Sequence, residues 1–189
     1  MSKGYLRVAH KGEEKTLQTI YLRQVEFEIG ILSLASTERG LCRVDFPGKS
    51  QEMICQLITK AHGPCEFWDE NVLGKKSLIN QRTQHQLKAY FDQKLKEFSL
   101  PLDIKGTDFQ LSVWHELGNI PYGKTVSYKD IAQAIGNPKA FRAVGGANNK
   151  NPIAIIIPCH RVLGHDGSLI GFGGGLAIKQ YLLDLEVDG

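Results

Sequence analysis

The chain has no stretch approaching the roughly 20 consecutive apolar residues that a membrane span needs, so no membrane association is expected. Its first 23 residues, Met1 to Arg23, mix Lys, Glu and Arg with scattered apolar positions. They lack the uninterrupted apolar core of a secretory signal, which points to an intracellular, cytoplasmic protein. Cysteine is sparse: Cys42, Cys55, Cys65 and Cys159 form no C-x-x-C pair and no Cys/His cluster at zinc-finger spacing. Neither a disulfide scaffold nor a metal site is signalled, although a site built from Cys42 or Cys65 with a distant histidine stays open. Charge of one sign is not in large excess either. A net charge of +3 suits a polyanionic partner and a metabolic enzyme equally well. Repeats and low-complexity tracts are absent.

With 42% apolar residues, the 189-residue chain can build one large domain or two small ones. Residues 16–27 (TLQTIYLRQVEF), then IGILSLAS, a turn at Ser36–Gly40 and LCRVDFPG read as β-rich runs of a small antiparallel sheet. Helical spacing follows at Gln51–Ala61 and Asn80–Leu95, so strands precede helices. FSLPLDIKG (98–106) reads as a linker, dividing the chain into 1–101 and 102–189. Thr107 with Gln110 forms a capping box that opens a helix through Trp114.

Ser127 and Asp130 cap a short helix that Gly136 stops, and Asn137-Pro138 restarts a second one from Lys139 to Asn148. Two readings fit this pair: an ordinary helical hairpin whose glycines allow close packing, or a helix-turn-helix. In the second reading Ala140, Ala143 and Gly145 approach sugar-phosphate edges, and Arg142 is the long side chain that probes between bases.

Ile153–Ile157 reads as a buried strand or extended segment ended by Pro158, with Cys159 just beyond it. A lone cysteine there is either a buried structural residue or a nucleophile. His160 and Arg161 favour the nucleophile, because an imidazole and a permanent cation lower a thiol pKa. Neighbours in an extended segment face opposite ways, so a water bridge between Cys159 and His160 is as plausible as direct contact. Glu186, late in the helix LAIKQYLLDLE, is the candidate carboxylate for His160. Cys42, Cys55 and Cys65 lack such neighbours and read as structural.

IPCHRV, preceded by RAVGGANNKNP and followed by a Gly-rich segment and a short helix, resembles the O6-alkylguanine-DNA alkyltransferase family, closely from Asp108 to Glu186. The N-terminal half matches only in layout. The resemblance implies an α+β protein, with a ribonuclease-H-like N-terminal sheet with helices and a mainly helical, winged-helix-like C-terminal domain. It also implies irreversible, single-turnover transfer of an alkyl group from O6-alkylguanine, and from O4-alkylthymine, to Cys159. The partner would be double-stranded DNA entered from the minor groove, engaged by a monomer without cofactor or metal.

By the same resemblance His160 activates Cys159 through water, Glu186 orients His160, and Asn151 braces the turn before the cysteine. Arg142 fills the space left by the flipped nucleotide, with Ser127, Ala140, Ala143 and Gly145 beside it on DNA. Tyr128 turns the phosphate and protonates the departing guanine. The carbonyls of Cys159 and Val162, with Phe172, Gly173 and Trp114, would line the base pocket. Phe172 stands where many members carry Tyr, and Gly173 where some carry Ser, which suggests a roomier pocket that accepts alkyl groups larger than methyl. Two rivals remain: a lesion-binding module without chemistry, which would lack the cysteine, and a cysteine hydrolase, for which no oxyanion-hole motif is present.

Overall fold

The computed structural model describes residues 17–74 and 77–187, apart from the side chain of Leu73. Residues 1–16, which hold most of the stretch weighed as a secretory signal and the start of the first expected strand, lie outside the described residues. The chain forms two compact units. One runs to Lys88 and resumes at Ser99–Lys105; the other takes Ala89–Phe98 and everything from Gly106 on. Two of the three crossings, at 98/99 and 105/106, fall in the segment read as a linker.

In the first unit β1 (Gln18–Phe27), β2 (Gly30–Ser36), β3 (Leu41–Asp45) and β4 (Cys65–Asp69) form one sheet in the order β3-β2-β1-β4. The sheet is mixed, not antiparallel: β1 pairs antiparallel with β2 and parallel with β4. The sequence reading missed β4 because CEFWD is five residues long and follows directly on helix α1 (Gln51–His62). Its inward residues Cys65 and Phe67 join Ile20, Leu22, Ile54 and Ile58 in the core, which also takes Cys42 and Cys55. The short helix α2 (Glu70–Leu73) and the longer α3 (Leu78–Phe91) follow. Helix α3 ends four residues earlier than expected, where Gln93 takes φ 58°.

Residues 99–105 belong to this unit because they bond to β3. Leu41 N donates to Pro101 O and Asp103 N to Leu41 O, both at 2.8 Å. Gly40 makes the approach possible, since a Cβ there would sit 2.8 Å from the Pro101–Asp103 backbone.

The second unit is mainly helical: α4 (Asp108–Gly118), α5 (Tyr128–Ala134), α6 (Phe141–Asn149) and α7 (Leu176–Val187), with a two-residue parallel pairing of β5 (Val126–Ser127) and β6 (Val162–Leu163). Both expected capping boxes, Thr107/Gln110 and Ser127/Asp130, are formed. Helix α5 stops at Gly136, whose φ of 71° suits glycine. The next helix does not restart at once. Asn137-Pro138-Lys139 make a turn closed by Ala140 N on Asn137 O, and α6 begins at Phe141. Trp114 of α4 is buried and donates its indole N–H to Ala147 O at 2.9 Å, fixing α4 on the far end of α6.

Candidate active site

The segment read as a strand before Cys159 is a tight buried turn. Ile157 N reaches back to Ile153 O, Ile156 N to Ala154 O, and Ile155 takes φ 71°. A β-branched residue in the left-handed region is strained and must be held there. Asn151 does the holding: its Nδ2 donates to Ile157 O (2.8 Å) and Ile153 O (3.4 Å), and its Oδ1 accepts from Ile153 N (3.0 Å). Apolar content was legible in the sequence; the side-chain amide that replaces a strand's ladder was not.

Cys159 opens a 3-10 turn, Cys159–Arg161, so the extended-strand argument about opposite faces does not apply. His160 is fully buried, and its Nε2 lies 2.8 Å from Glu186 Oε1. Arg161 is committed to the same carboxylate through Nε (2.8 Å) and Nη2 (2.9 Å), and to Ile120 O through Nη1 (2.5 Å). Tyr90, near the end of α3, donates its hydroxyl to Glu186 Oε1 at 2.7 Å, and Gly123 N donates to Oε2 at 3.1 Å. Burial pushes the Glu186 carboxyl up, but hydrogen bonds from His160 and Arg161 outweigh it and hold it down at about 2.

The ionised carboxylate can only accept, so His160 carries its proton on Nε2. Its Nδ1, buried and without a partner among the described residues, is then an unshared base. Burial keeps the imidazole below its usual range despite Glu186, so it is neutral at pH 7.

The thiol departs from expectation. Cys159 is 5% exposed, and burial raises its pKa to about 11; Asn151 and the Lys179 ammonium pull it down without overcoming burial. Arg161 does not lower it, because that cation is spent on Glu186. The resting group is a thiol beside a neutral base, not a standing thiolate. The buried thiols of Cys42, Cys55 and Cys65 are also raised, to between about 11 and 12, so what singles out Cys159 is its neighbours.

Tyr128 begins α5, and its hydroxyl is shared between Ile170 O (3.1 Å) and Gly171 O (3.3 Å). Gly145 of α6 faces its ring, where an added Cβ would be 3.8 Å away. Ser127 spends its hydroxyl on the α5 cap, at 2.7 Å from Asp130 Oδ2. Arg142 and Ala143 are exposed, Ala140 is half-buried, and the Arg142 guanidinium lies 5.8 Å from the Phe141 ring centroid with no carboxylate partner among the described residues. Val162 is buried and its carbonyl accepts from Lys179 Nζ at 2.6 Å; Phe172 is half-buried, with that ammonium 5.9 Å from its ring centroid. Gly173 has room for a side chain, since a Cβ would meet nothing nearer than Asn149 Oδ1 at 3.6 Å. Trp114 serves the helix packing described above.

Three participants went unread in the sequence. Lys179 is fully buried and donates to Val162 O and, at 3.0 Å, Ile170 O. It shares a helix face with buried Leu182 and Glu186, at i, i+3 and i+7, so its spacing on α7 was the available signal. Asn148 donates Nδ2 to Cys159 O at 3.3 Å. Tyr90 gave no local signal, being 96 residues from Glu186. Among the described residues no group of three or more His, Cys, Asp or Glu could hold a metal, and no helix is long and apolar enough to cross a membrane.

A helix-turn-helix next to a thiol, a neutral base and a buried carboxylate defines a DNA-binding scaffold with a nucleophile mounted on it. Residues 108–187 match the DNA binding domain of 6-O-methylguanine DNA methyltransferase, and residues 20–104 match that protein's ribonuclease-like domain. The methylated-DNA–protein-cysteine methyltransferase of Methanosarcina barkeri is 50% identical over 168 residues, covering 88% of this chain and 97% of that protein. The crystal structure of Mycobacterium tuberculosis O6-methylguanine methyltransferase aligns with TM-score 0.74 and 39% identity over 89% of this chain and 93% of that one. A DNA complex from the same organism aligns with TM-score 0.75 and 40% identity over the same shares. The chain belongs to the 6-O-methylguanine DNA methyltransferase family.

Proposed function

We propose that this protein repairs double-stranded DNA by moving the alkyl group of O6-alkylguanine, and that of O4-alkylthymine, onto Cys159. The observation that carries the reading is the neutral His160, whose Nε2–H is fixed on Glu186 while Nδ1 stays free beside the cysteine's turn. The alkyl carbon is shielded inside a duplex, so the nucleotide must be extruded through the minor groove. Arg142, exposed and with no carboxylate partner among the described residues, takes the vacated space, while Ala140, Ala143 and Gly145 let α6 lie close to the backbone.

His160 Nδ1 accepts the thiol proton through a bridging water as the sulfur attacks. The S–C bond forms, the C–O6 bond breaks, and its electron pair stays on the base. Tyr128 gives the departing guanine a proton and is resupplied from His160. Atoms balance with no added cofactor: thiol and alkylated base become thioether and guanine. A thioether is a poor leaving group, so each chain reacts once. Asn151 and Glu186 position Cys159 and His160; Val162, Phe172 and Gly173 border the base, and Gly173 leaves room for groups larger than methyl. We assign the chemistry to 102–189, and expect a cytoplasmic monomer, since a reduced thiol is required.

Intact-mass measurement after incubation with an O6-methylguanine duplex tests this. The expected result is a gain of one methylene on the Cys159 peptide, absent in Cys159→Ala. An unchanged mass with retained DNA binding would instead identify a lesion-binding module.

A further inference from the structure

Phe141 opens α6 and is 38% exposed, the one phenylalanine more than a third exposed among the described residues. A single exposed apolar side chain is ordinary on a protein surface, so its place decides its meaning. Phe141, Gly145 and Asn148 stand at i, i+4 and i+7, one stripe along the helix. Farther along that stripe a Cβ at Gly145 would lie 3.8 Å from the Tyr128 ring, and Asn148 Nδ2 donates to Cys159 O. The stripe therefore runs from the Phe141 ring to the nucleophile's turn. Arg142 follows directly, its guanidinium 5.8 Å from the Phe141 ring centroid. The first turn of α6 holds no acidic residue, so this end of the helix brings no negative charge of its own to a phosphate backbone.

A nucleotide drawn out of a duplex leaves two kinds of group without a partner: the base it paired with, and its neighbours in the strand, which lose a stacking surface. A single guanidinium can fill the first vacancy but does not restore an apolar face to the second. We propose that Phe141 is a second wedge, whose ring enters the minor groove beside Arg142 and stacks on a base next to the extruded nucleotide. This rests on the alkyl-transfer reading above. Apolar rings inserted at a base step hold a duplex open, and stacking on a ring tolerates every base, which suits repair at any sequence. Contact with the Arg142 guanidinium keeps the two side chains together at the same end of α6.

Single-turnover transfer from an O6-methylguanine duplex, at protein concentrations below saturation and beside reaction with free O6-methylguanine base, tests the assignment. Phe141→Ala should slow the duplex reaction about tenfold more than the free-base reaction, the worth of one ring stacked on one base. Equal slowing of both would mark a purely structural residue and overturn the proposal. An aromatic that merely steadied Arg142 would also spare the free base, so the comparison is repeated in Arg142→Ala. There Phe141→Ala should again slow the duplex reaction several-fold; no further loss means that Phe141 acts only through Arg142, and the assignment fails. Phe141→Trp in a Cys159→Ser background gives a direct readout. With the duplex bound to saturation by anisotropy, the emission of the new indole, above the Trp68 and Trp114 background of Cys159→Ser alone, should be quenched. An unquenched indole lies outside the stack and overturns the proposal. No transfer by the wild type from either substrate would bring down the alkyl-transfer reading, whereas wild-type transfer that Phe141→Ala leaves unchanged on the duplex removes this inference alone.

Discussion

Replacing Glu186 with Gln removes one charge and exchanges one acceptor oxygen for a donor, at a carboxylate that now accepts five hydrogen bonds from four residues. Oε1 takes Tyr90, His160 and Arg161, and Oε2 takes Arg161 and Gly123. With the Gln oxygen at the Oε1 position, its NH2 would face two N–H groups that cannot turn away. In the reverse orientation the NH2 points at His160 Nε2, which can accept only by moving its proton to Nδ1, abolishing the free base.

Either way Arg161, 5% exposed, loses its counter-charge. Stranding one member of a buried ion pair costs about 3–5 kcal/mol. For a chain of this size that lowers Tm by on the order of 10 °C. Losing a positioned base slows proton transfer by about 10²–10⁴-fold. The assay is single-turnover methyl transfer from a labelled O6-methylguanine duplex, below the variant's Tm, with thermal unfolding measured in parallel. A Glu186→Gln protein that melts and reacts like the wild type would refute the relay.

Tyr90→Phe removes one hydroxyl donor to a charged acceptor and keeps the ring packing, so unfolding free energy should fall by about 1.5–3 kcal/mol in chemical denaturation. Arg142→Ala should slow repair of duplex DNA at least tenfold more than reaction with free O6-methylguanine base; equal effects would contradict a role in extrusion. Lys179→Met removes a cation that lowers the Cys159 pKa, so transfer should slow and its pH–rate profile move to higher pH, a shift that loosened packing alone would not produce. Stability should decline at both pH extremes, read as urea midpoints. Glu186, depressed from 4.5 to about 2, stabilises fully above 4.5 and loses this as pH falls towards 2; Cys159, raised from 9.0 to about 11, stabilises fully below 9.0 and loses this as pH climbs towards 11.

Local chemistry was legible in the residue order. Capping boxes at Thr107/Gln110 and Ser127/Asp130 involve neighbours three apart, so they could be read directly and are formed. The pairing of His160 with Glu186 was also anticipated, because a helix returning after a Gly-rich segment places its far end near the turn it left. Tertiary structure decided the rest. Five β-branched or apolar residues before Pro158 look like a strand, but the Asn151 amide and the bond from Ile157 N to Ile153 O make them a turn. Arg161 next to Cys159 looks like a thiol-activating cation, yet a carboxylate 25 residues away claims it. Tyr90 and Asn148 were invisible as site residues, since hydrogen bonds across 96 and 11 positions leave no periodic trace. The sequence determined which reactive groups are present and how each helix begins. Folding determined which groups are desolvated together, and in a buried site desolvation sets the thiol's protonation more strongly than any neighbour in the chain.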